Sequence, residues 1–367
     1  MVTAETRAGF FLLHKFHHAM LDPIYELLKN KLPCLLTSSP SKLIAYKPEI
    51  ILLAEYFRPY FELPLPGSIV IHTRHGFSSK GMIKQAIESS DYFCVNSEWE
   101  RDELARKGWR PRLAFWITGF TPMDKVFRYG QNPDRIMPTV FATNGPILLY
   151  APTTTAYLNA HGAIGSDWLK PVRNAFPQLN IIVKLHPHIP KVKPEWFAAW
   201  QDATKDDAKT CLITDSDTDI YSYFPLADIL ITDVSSVMFY FLALERPIIL
   251  VNNPRRFMNK KLFDTTGPEW KMRDMGIEVE NTEELLRAID ISLTDPGYKA
   301  DRRAYYRQLV FGKHTKGNAA ENIATRVLAL ALRDMTKPWV ARAWRTVERR
   351  RRAITEHGNP NATFPWE

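Results

Sequence analysis

The run from Ala227 to Val251, ADILITDVSSVMFYFLALERPIILV, leaves a chain few choices. DILIT is a short apolar run of the kind a strand buried on both faces needs. Asp233 ends it, and Val234, Ser235 and Ser236 turn the chain. VMFYFLALE has neither Gly nor Pro and reads as a long buried helix. Pro247 stops it, and IILV is the next buried strand. A strand–helix–strand unit sets a helix N-terminus at the carboxyl edge of a parallel sheet. Free backbone N–H groups there favour an anion, and Ser235 and Ser236 add hydroxyl donors. Asp and Ser are also ordinary helix caps, so this turn alone supports either reading.

The same alternation runs along the chain. CLLTS, IILLAEY, SIVIHT, YFCVNS and LAFWITGF read as strands of a first half, with EWERDELARKG a helix between two of them. Thr6 to about Leu32 reads as a helix. Residues 131–146 carry Pro, Asn and Gly and read as a linker. PILLYA, NIIVKL, TCLIT, DILIT and IILV continue as strands of a second half. Alternating strands and helices predict parallel sheets. The expected architecture is α/β, two Rossmann-like domains facing a central cleft. The expected boundaries are 1–140, 141–336 and a basic amphipathic tail, 337–367. Ligands of such sheets bind at the carboxyl ends of strands. The loops after SIVIHT, PILLYA, NIIVKL and DILIT are rich in His, Ser or Thr, and that convergence predicts an active site.

Charge and cysteine content narrow the class. The formal net charge is +8, much of it near the chain end, so no nucleic-acid partner is expected. Cys34, Cys94 and Cys211 have neither metal nor disulfide spacing, which predicts a reducing, cytosolic compartment. No stretch is long and apolar enough to cross a bilayer, and GFFLLHKFHHAML is too short and His-rich for a secretion signal. His14 and His18 are one helical turn apart, and Asp215, Asp217 and Asp219 alternate, yet neither set offers further ligands in sequence. No metal and no cofactor are expected.

Taken together, six segments resemble the CDP-glycerol glycerophosphotransferases of teichoic-acid and capsule synthesis. RHGFSSKG is similar to their His-Gly-Thr-Pro-x-Lys loop and ITGFTPMD to their Gly-Tyr-Pro-Arg-x-Asp turn. ILLYAPTTT, KLHPH, ADILITDVSSVMFYFLALERPII and GP with KGNAAENIATRVL resemble the remaining motifs, in order, from about Ile69 to Leu330. FSS and TPM depart from the family's residues in the first two. The resemblance implies a glycosyltransferase-B-like fold without a catalytic metal, and the length resembles the priming or short capsular members.

The resemblance also implies roles. An acceptor hydroxyl attacks the β-phosphorus of CDP-glycerol, or a related CDP-polyol, and CMP leaves. His75 is the implied general base, and His186 the implied contact to the pyrophosphate and the departing CMP. Thr153, Thr154, Ser235 and Ser236 are the implied donor-binding hydroxyls. Lys80 holds a phosphate or the acceptor, or is a solvated loop lysine. Asp233 repels phosphate and is expected to orient a loop donor, His186 or a sugar hydroxyl. The implied acceptor is lipid-linked or a glycan. A nucleotide-sugar glycosyltransferase on the same scaffold is the alternative, and a catalytically silent binding module a third possibility. In the tail, Val340, Trp344, Val347 and Ile354 fall on one helical face and Arg342, Arg345, Arg349 and Arg352 on the other, with Arg351 towards the apolar side. Such a helix either lies on an anionic membrane surface at the inner face of the cell membrane or docks on the N-terminal domain.

Overall fold

The computed structural model describes residues 6–55, 65, 67–77, 83–131, 141, 144–215, 218–258 and 265–357. Two compact units are present. Met1–Phe77, Met82–Asp124 and Phe311–Glu367 belong to the first, and Lys125–Val310 to the second. Contacts group 311–336 with the first unit, whereas the boundaries expected from sequence place them with 141–310.

The first unit is built on a parallel sheet of β1 (Ala8–Phe11), β2 (Cys34–Thr37), β3 (Ile50–Leu53), β4 (Ile69–His72), β5 (Tyr92–Val95) and β6 (Ala114–Ile117), in the order β2-β1-β3-β4-β5-β6. The strand order reverses between β1 and β3. Phe11 is in register with Leu53, and Leu53 with His72, so three adjacent strands end level. The loops that follow them leave from one edge.

One expectation fails here. Residues 8–11 form a central strand, and the helix spans only His18–Leu28. All four strand residues are buried, and a short run apolar on both faces carries no period that separates strand from helix.

The second unit repeats the architecture with β7 (Ile147–Tyr150), β8 (Asn180–Val183), β9 (Thr210–Leu212), β10 (Ile229–Thr232), β11 (Ile248–Val251) and β12 (Ile277–Val279), all parallel, in the order β12-β11-β10-β7-β8-β9. Read from the other edge this is the doubly wound order, which reverses between β7 and β10. Tyr150 is in register with both Ile231 and Val183, so the loops after β7, β8 and β10 also leave from one edge. Beneath them lies a core in which Tyr150, Trp168 and Trp200 are fully buried ring against ring.

The tail docks. Of its expected apolar face, Val340, Trp344 and Val347 are buried, and Ile354 lies outside the residues whose burial is described. The Trp344 indole N–H donates to the Leu330 carbonyl at 3.0 Å, and Tyr92 packs on Trp116 and Trp339. Arg350 reaches the buried carboxylate of Asp91, which also accepts the Val70 N–H at 2.9 Å. Arg342, Arg345, Arg349 and Arg352 remain exposed. No helix among the described residues is long and apolar enough to cross a membrane.

Candidate active site

In the first unit, β4 runs into Thr73, Arg74 and His75. Arg74 is buried in the left-handed region, φ 59°, which costs a non-glycine residue about 1 kcal/mol. Its guanidinium meets the Glu100 carboxylate and lies over the rings of Phe77 and Phe120, 5.7 Å from each centroid. Glu100 in turn accepts the Asn96 N–H at 2.7 Å. The chain is thus pinned at Arg74 while the next side chain, His75, turns outward to solvent.

The His75 ring has a fixed tautomer. Its Nδ1 lies 3.3 Å from the Ala54 carbonyl oxygen, which can only accept, so Nδ1 carries the proton and Nε2 the lone pair. Burial of its inner side lowers the His75 pKa, and the Glu55 carboxylate works against that shift. A neutral imidazole with an available Nε2 is what a general base requires at neutral pH.

Two further residues stand beside it that the motifs did not mark. Glu55 follows β3, and His17 follows β1. His17 is fully buried, and its Nε2 lies 3.2 Å from Glu55 Oε2, with His14 Nε2 at 3.4 Å from the same oxygen. Potential ligand atoms of His17, Glu55 and His75 lie within 4.8 Å of one another. That count would suit a divalent cation, but the protonation pattern does not. The Leu13 N–H donates to His17 Nδ1 at 3.3 Å, which puts the neutral ring's proton on Nε2, aimed at Glu55. His14 and His18, one helical turn apart in sequence, do not act together: His18 turns to Asp22 at 2.9 Å on the surface. Lys80 lies outside the described residues.

In the second unit the strand-order reversal gathers Thr153 and Asp233. Asp233 is fully buried. Its carboxylate accepts the Thr153 N–H at 3.0 Å and the Ala160 N–H at 2.8 Å. The Thr232 hydroxyl donates to the Ala151 carbonyl at 2.6 Å. Thr153 is buried and Thr154 half-buried.

The helix after Ser236 is shorter than its sequence suggested. It spans Val237–Phe241 and tightens into a 3-10 turn, Leu242–Leu244, that ends at Glu245 with φ 55°. Its dipole is correspondingly small, so hydroxyls and local N–H groups carry more of any anion contact. The Ser235 hydroxyl accepts the Val237 N–H at 3.4 Å, and Ser236 is half-buried. Arg273 was not marked by any motif. It is buried, donates to the Asp233 carbonyl at 3.4 Å and pairs with Glu278 at 2.9 Å.

His186 follows β8. Its Nδ1 accepts the His188 N–H at 3.2 Å, which leaves the ring proton on Nε2. His186 is therefore the opposite of His75 in polarity, with its N–H at Nε2. Asp219 accepts the Tyr221 N–H at 2.9 Å and pairs with Lys125, so it acts as a cap and ion-pair partner. Asp215 is exposed, and Asp217 lies outside the described residues.

A family model described as CDP-glycerol:poly(glycerophosphate) glycerophosphotransferase matches residues 66–329. The chain belongs to that family. As a glycerophosphotransferase-family transferase it catalyses a CDP-glycerol glycerophosphotransferase-type reaction. A sequence comparison with curated proteins finds no match. Among solved structures it is similar to the wall teichoic acid polymerase TagF, in a histidine-to-asparagine variant soaked with CDPG. That match has 15% identity and a TM-score of 0.68, and covers 92% of this chain and 91% of that one. It is also similar to UDP-GlcNAc 2-epimerase from Neisseria meningitidis bound to UDP-GlcNAc, with 14% identity, a TM-score of 0.53 and coverage of 88% and 99%. At these identities the likeness shows a common glycosyltransferase-B-like α/β fold. The motifs quoted from Ile69 to Leu330 nearly coincide with the matched residues.

Proposed function

We propose that this transferase moves glycerol phosphate, or a related polyol phosphate, from a CDP-linked donor to a hydroxyl of a lipid-linked or glycan acceptor, in the synthesis of a cell-envelope polymer such as teichoic acid or capsule. The observation that carries the reading is the His75 tautomer. With Nδ1–H on the Ala54 carbonyl, Nε2 is the basic nitrogen, in the loop that resembles the family's catalytic motif. The acceptor hydroxyl gives its proton to Nε2 as its oxygen bonds to the β-phosphorus. The bond from that phosphorus to the bridging oxygen breaks, and CMP leaves with the electron pair. Little covalent chemistry falls to the protein in such a transfer, so positioning and charge neutralisation dominate.

The second unit supplies donor contacts in this reading. His186 Nε2–H and the hydroxyls of Ser235, Ser236, Thr153 and Thr154 bind the pyrophosphate, and Lys80 serves a phosphate or the acceptor. Asp233 stays off the phosphate and shapes the loop through the Thr153 N–H, as its hydrogen bonds support. A lipid-linked acceptor places the enzyme at the cytoplasmic face of the cell membrane. There the exposed Arg342, Arg345, Arg349 and Arg352 would meet anionic headgroups.

The test is product analysis with purified protein, CDP-glycerol, CDP-ribitol and a lipid-linked acceptor, alongside a thermal-shift screen of CMP, UDP and GDP. CMP release with stabilisation by cytidine nucleotides is expected. Stabilisation by UDP and release of UDP from a nucleotide sugar would favour glycosyl transfer instead. Failure to bind any nucleotide would favour a silent module.

A further inference from the structure

We propose that Glu55 and His17 are positioning residues for the base, with the Glu55 carboxylate, itself oriented by His17, stabilising the imidazolium that forms when His75 accepts a proton. This rests on the reading of His75 as the base. Three strand ends supply the parts. β1, β3 and β4 are neighbours in the sheet and end level at Phe11, Leu53 and His72, so Leu13 and His17, Ala54 and Glu55, and His75 emerge at one edge. The edge is where the strand order reverses, the usual ligand crevice of an open α/β sheet.

Every proton in the chain of contacts has a determined direction. The Leu13 N–H donates to His17 Nδ1, so His17 Nε2–H donates to Glu55 Oε2 at 3.2 Å. The Ala54 carbonyl accepts His75 Nδ1–H, so Ala54 and Glu55, adjacent in sequence, act on His75 together. The carbonyl fixes which nitrogen is basic. The carboxylate lies near enough to favour the cationic ring, with potential ligand atoms of the three residues within 4.8 Å.

Among the described residues His17, His72 and Arg74 also act on His75, and His14 reaches Glu55. His72 is buried and its pKa is pushed well down, and burial also lowers that of His17. Arg74 is neutralised by Glu100. Burial alone would raise the Glu55 pKa, but the His17 hydrogen bond and the nearby rings of His75 and His14 outweigh it and hold the group at about 2. Glu55 is therefore the anion of the set across the working pH range. The ring of Phe16, 6.1 Å from that of His75, covers one side.

The experiment reads His75 directly. The protein is labelled at histidine, and the His75 ring is titrated by NMR in wild type, Glu55→Gln, Glu55→Asp and His17→Gln. The same variants are assayed for kcat, KM and pH profile with CDP-glycerol. Removing the carboxylate charge is expected to lower the His75 pKa by about one unit in Glu55→Gln. Glu55→Asp draws the charge back and gives a smaller shift in the same direction. His17→Gln keeps a donor to Glu55 and stays close to wild type. Turnover in Glu55→Gln should fall roughly tenfold or more with KM for CDP-glycerol nearly unchanged, because a weaker base slows only the chemical step. The acid limb of its kcat/KM profile should move to lower pH.

A Glu55 that merely braces the loop would lower turnover without moving the His75 titration in that direction, and this outcome overturns the proposal. If Glu55→Gln does not fold, the Glu55→Asp titration decides in its place. The two readings separate cleanly. A shifted His75 in a protein that turns over no CDP-linked donor removes the proposed function and leaves the pair standing. Wild-type turnover with an unmoved His75 in Glu55→Gln and Glu55→Asp does the reverse.

Discussion

The carboxylate of Asp233, at the end of β10, accepts the backbone N–H of Thr153, which follows β7, with both oxygens 3.0 Å away. It ties together the two strands between which the second sheet reverses its order. The Ala160 N–H donates to the same carboxylate at 2.8 Å. Asp233→Asn would turn an amide donor towards one of these N–H groups. Hydrogen bonds to a charged group contribute roughly 1.5–3 kcal/mol each, so a loss of about 3 kcal/mol in urea unfolding is expected. CMP affinity should fall along with it, through the displaced Thr153 loop. An unchanged unfolding midpoint would mean that the loop is held by other contacts.

His75 and His186 differ in which ring nitrogen bears the proton, and their variants should differ accordingly. His75→Ala should abolish CMP release and leave calorimetric binding of CDP-glycerol nearly intact. His186→Ala should weaken both, because an N–H donor to the donor phosphates is lost. Full turnover in His75→Ala would remove the base assignment.

The serines test the phosphate loop. Changing Ser235 and Ser236 together to Ala keeps the backbone donors and removes two hydroxyls, at roughly 1.5–3 kcal/mol each at most against a charged group. Affinity for CDP-glycerol should drop further than affinity for cytidine. Equal losses would contradict a pyrophosphate contact.

The acid limb of activity follows from His75. Burial holds its pKa below the ordinary 6.5. With the neutral ring as the active form in the proposed mechanism, kcat/KM should rise through a pKa lower than 6.5 and be flat above it on this limb. Stability has the same sign through His17. Its folded pKa lies below the unfolded value of 6.5, so folding favours its neutral form. That contribution is fully present above pH 6.5 and is lost as pH falls from 6.5 through the lowered value. Urea titrations at pH 7.5 and 5.5 should show a smaller difference in His17→Gln than in wild type.

Much of this was readable without coordinates, for reasons that differ by residue. Ser235, Ser236, Thr153 and His186 sit directly after short apolar runs bounded by turn residues and alternating with helical segments, so their place at a sheet edge follows from local pattern. Glu55 and His17 were not readable. They meet His75 only because β1, β3 and β4 are adjacent, and strand order is set by long-range packing. The segment holding β1 read as helix, which displaced His17 from any strand end. Docking of the tail was likewise undecided, since a helix with one apolar and one basic face suits lipid and protein equally. The feature that decides it is the pairing of Arg350 with Asp91, residues 259 apart in sequence.

That pairing makes the two faces of the tail separable by experiment. Arg350 and Asp91 are both buried, so Arg350→Ala strands an anion inside the first unit, at about 3–5 kcal/mol. Trp344→Ala empties a packed site and should cost a similar 3–5 kcal/mol. Both variants should unfold at clearly lower urea concentration, and truncation after Thr336 should do the same. Arg342, Arg345, Arg349 and Arg352 lie outside this packing, and changing all four to Gln should leave the unfolding midpoint within about 0.5 kcal/mol of wild type. If these arginines hold the enzyme to an anionic leaflet at about 1 kcal/mol each, the four-Gln variant should lose most cosedimentation with phosphatidylglycerol vesicles. Wild-type binding should weaken as salt is raised. CDP-glycerol affinity should be the same in both. Equal cosedimentation of wild type and the four-Gln variant would show that this face is not the membrane contact, while the unfolding of Arg350→Ala would still report the docked face.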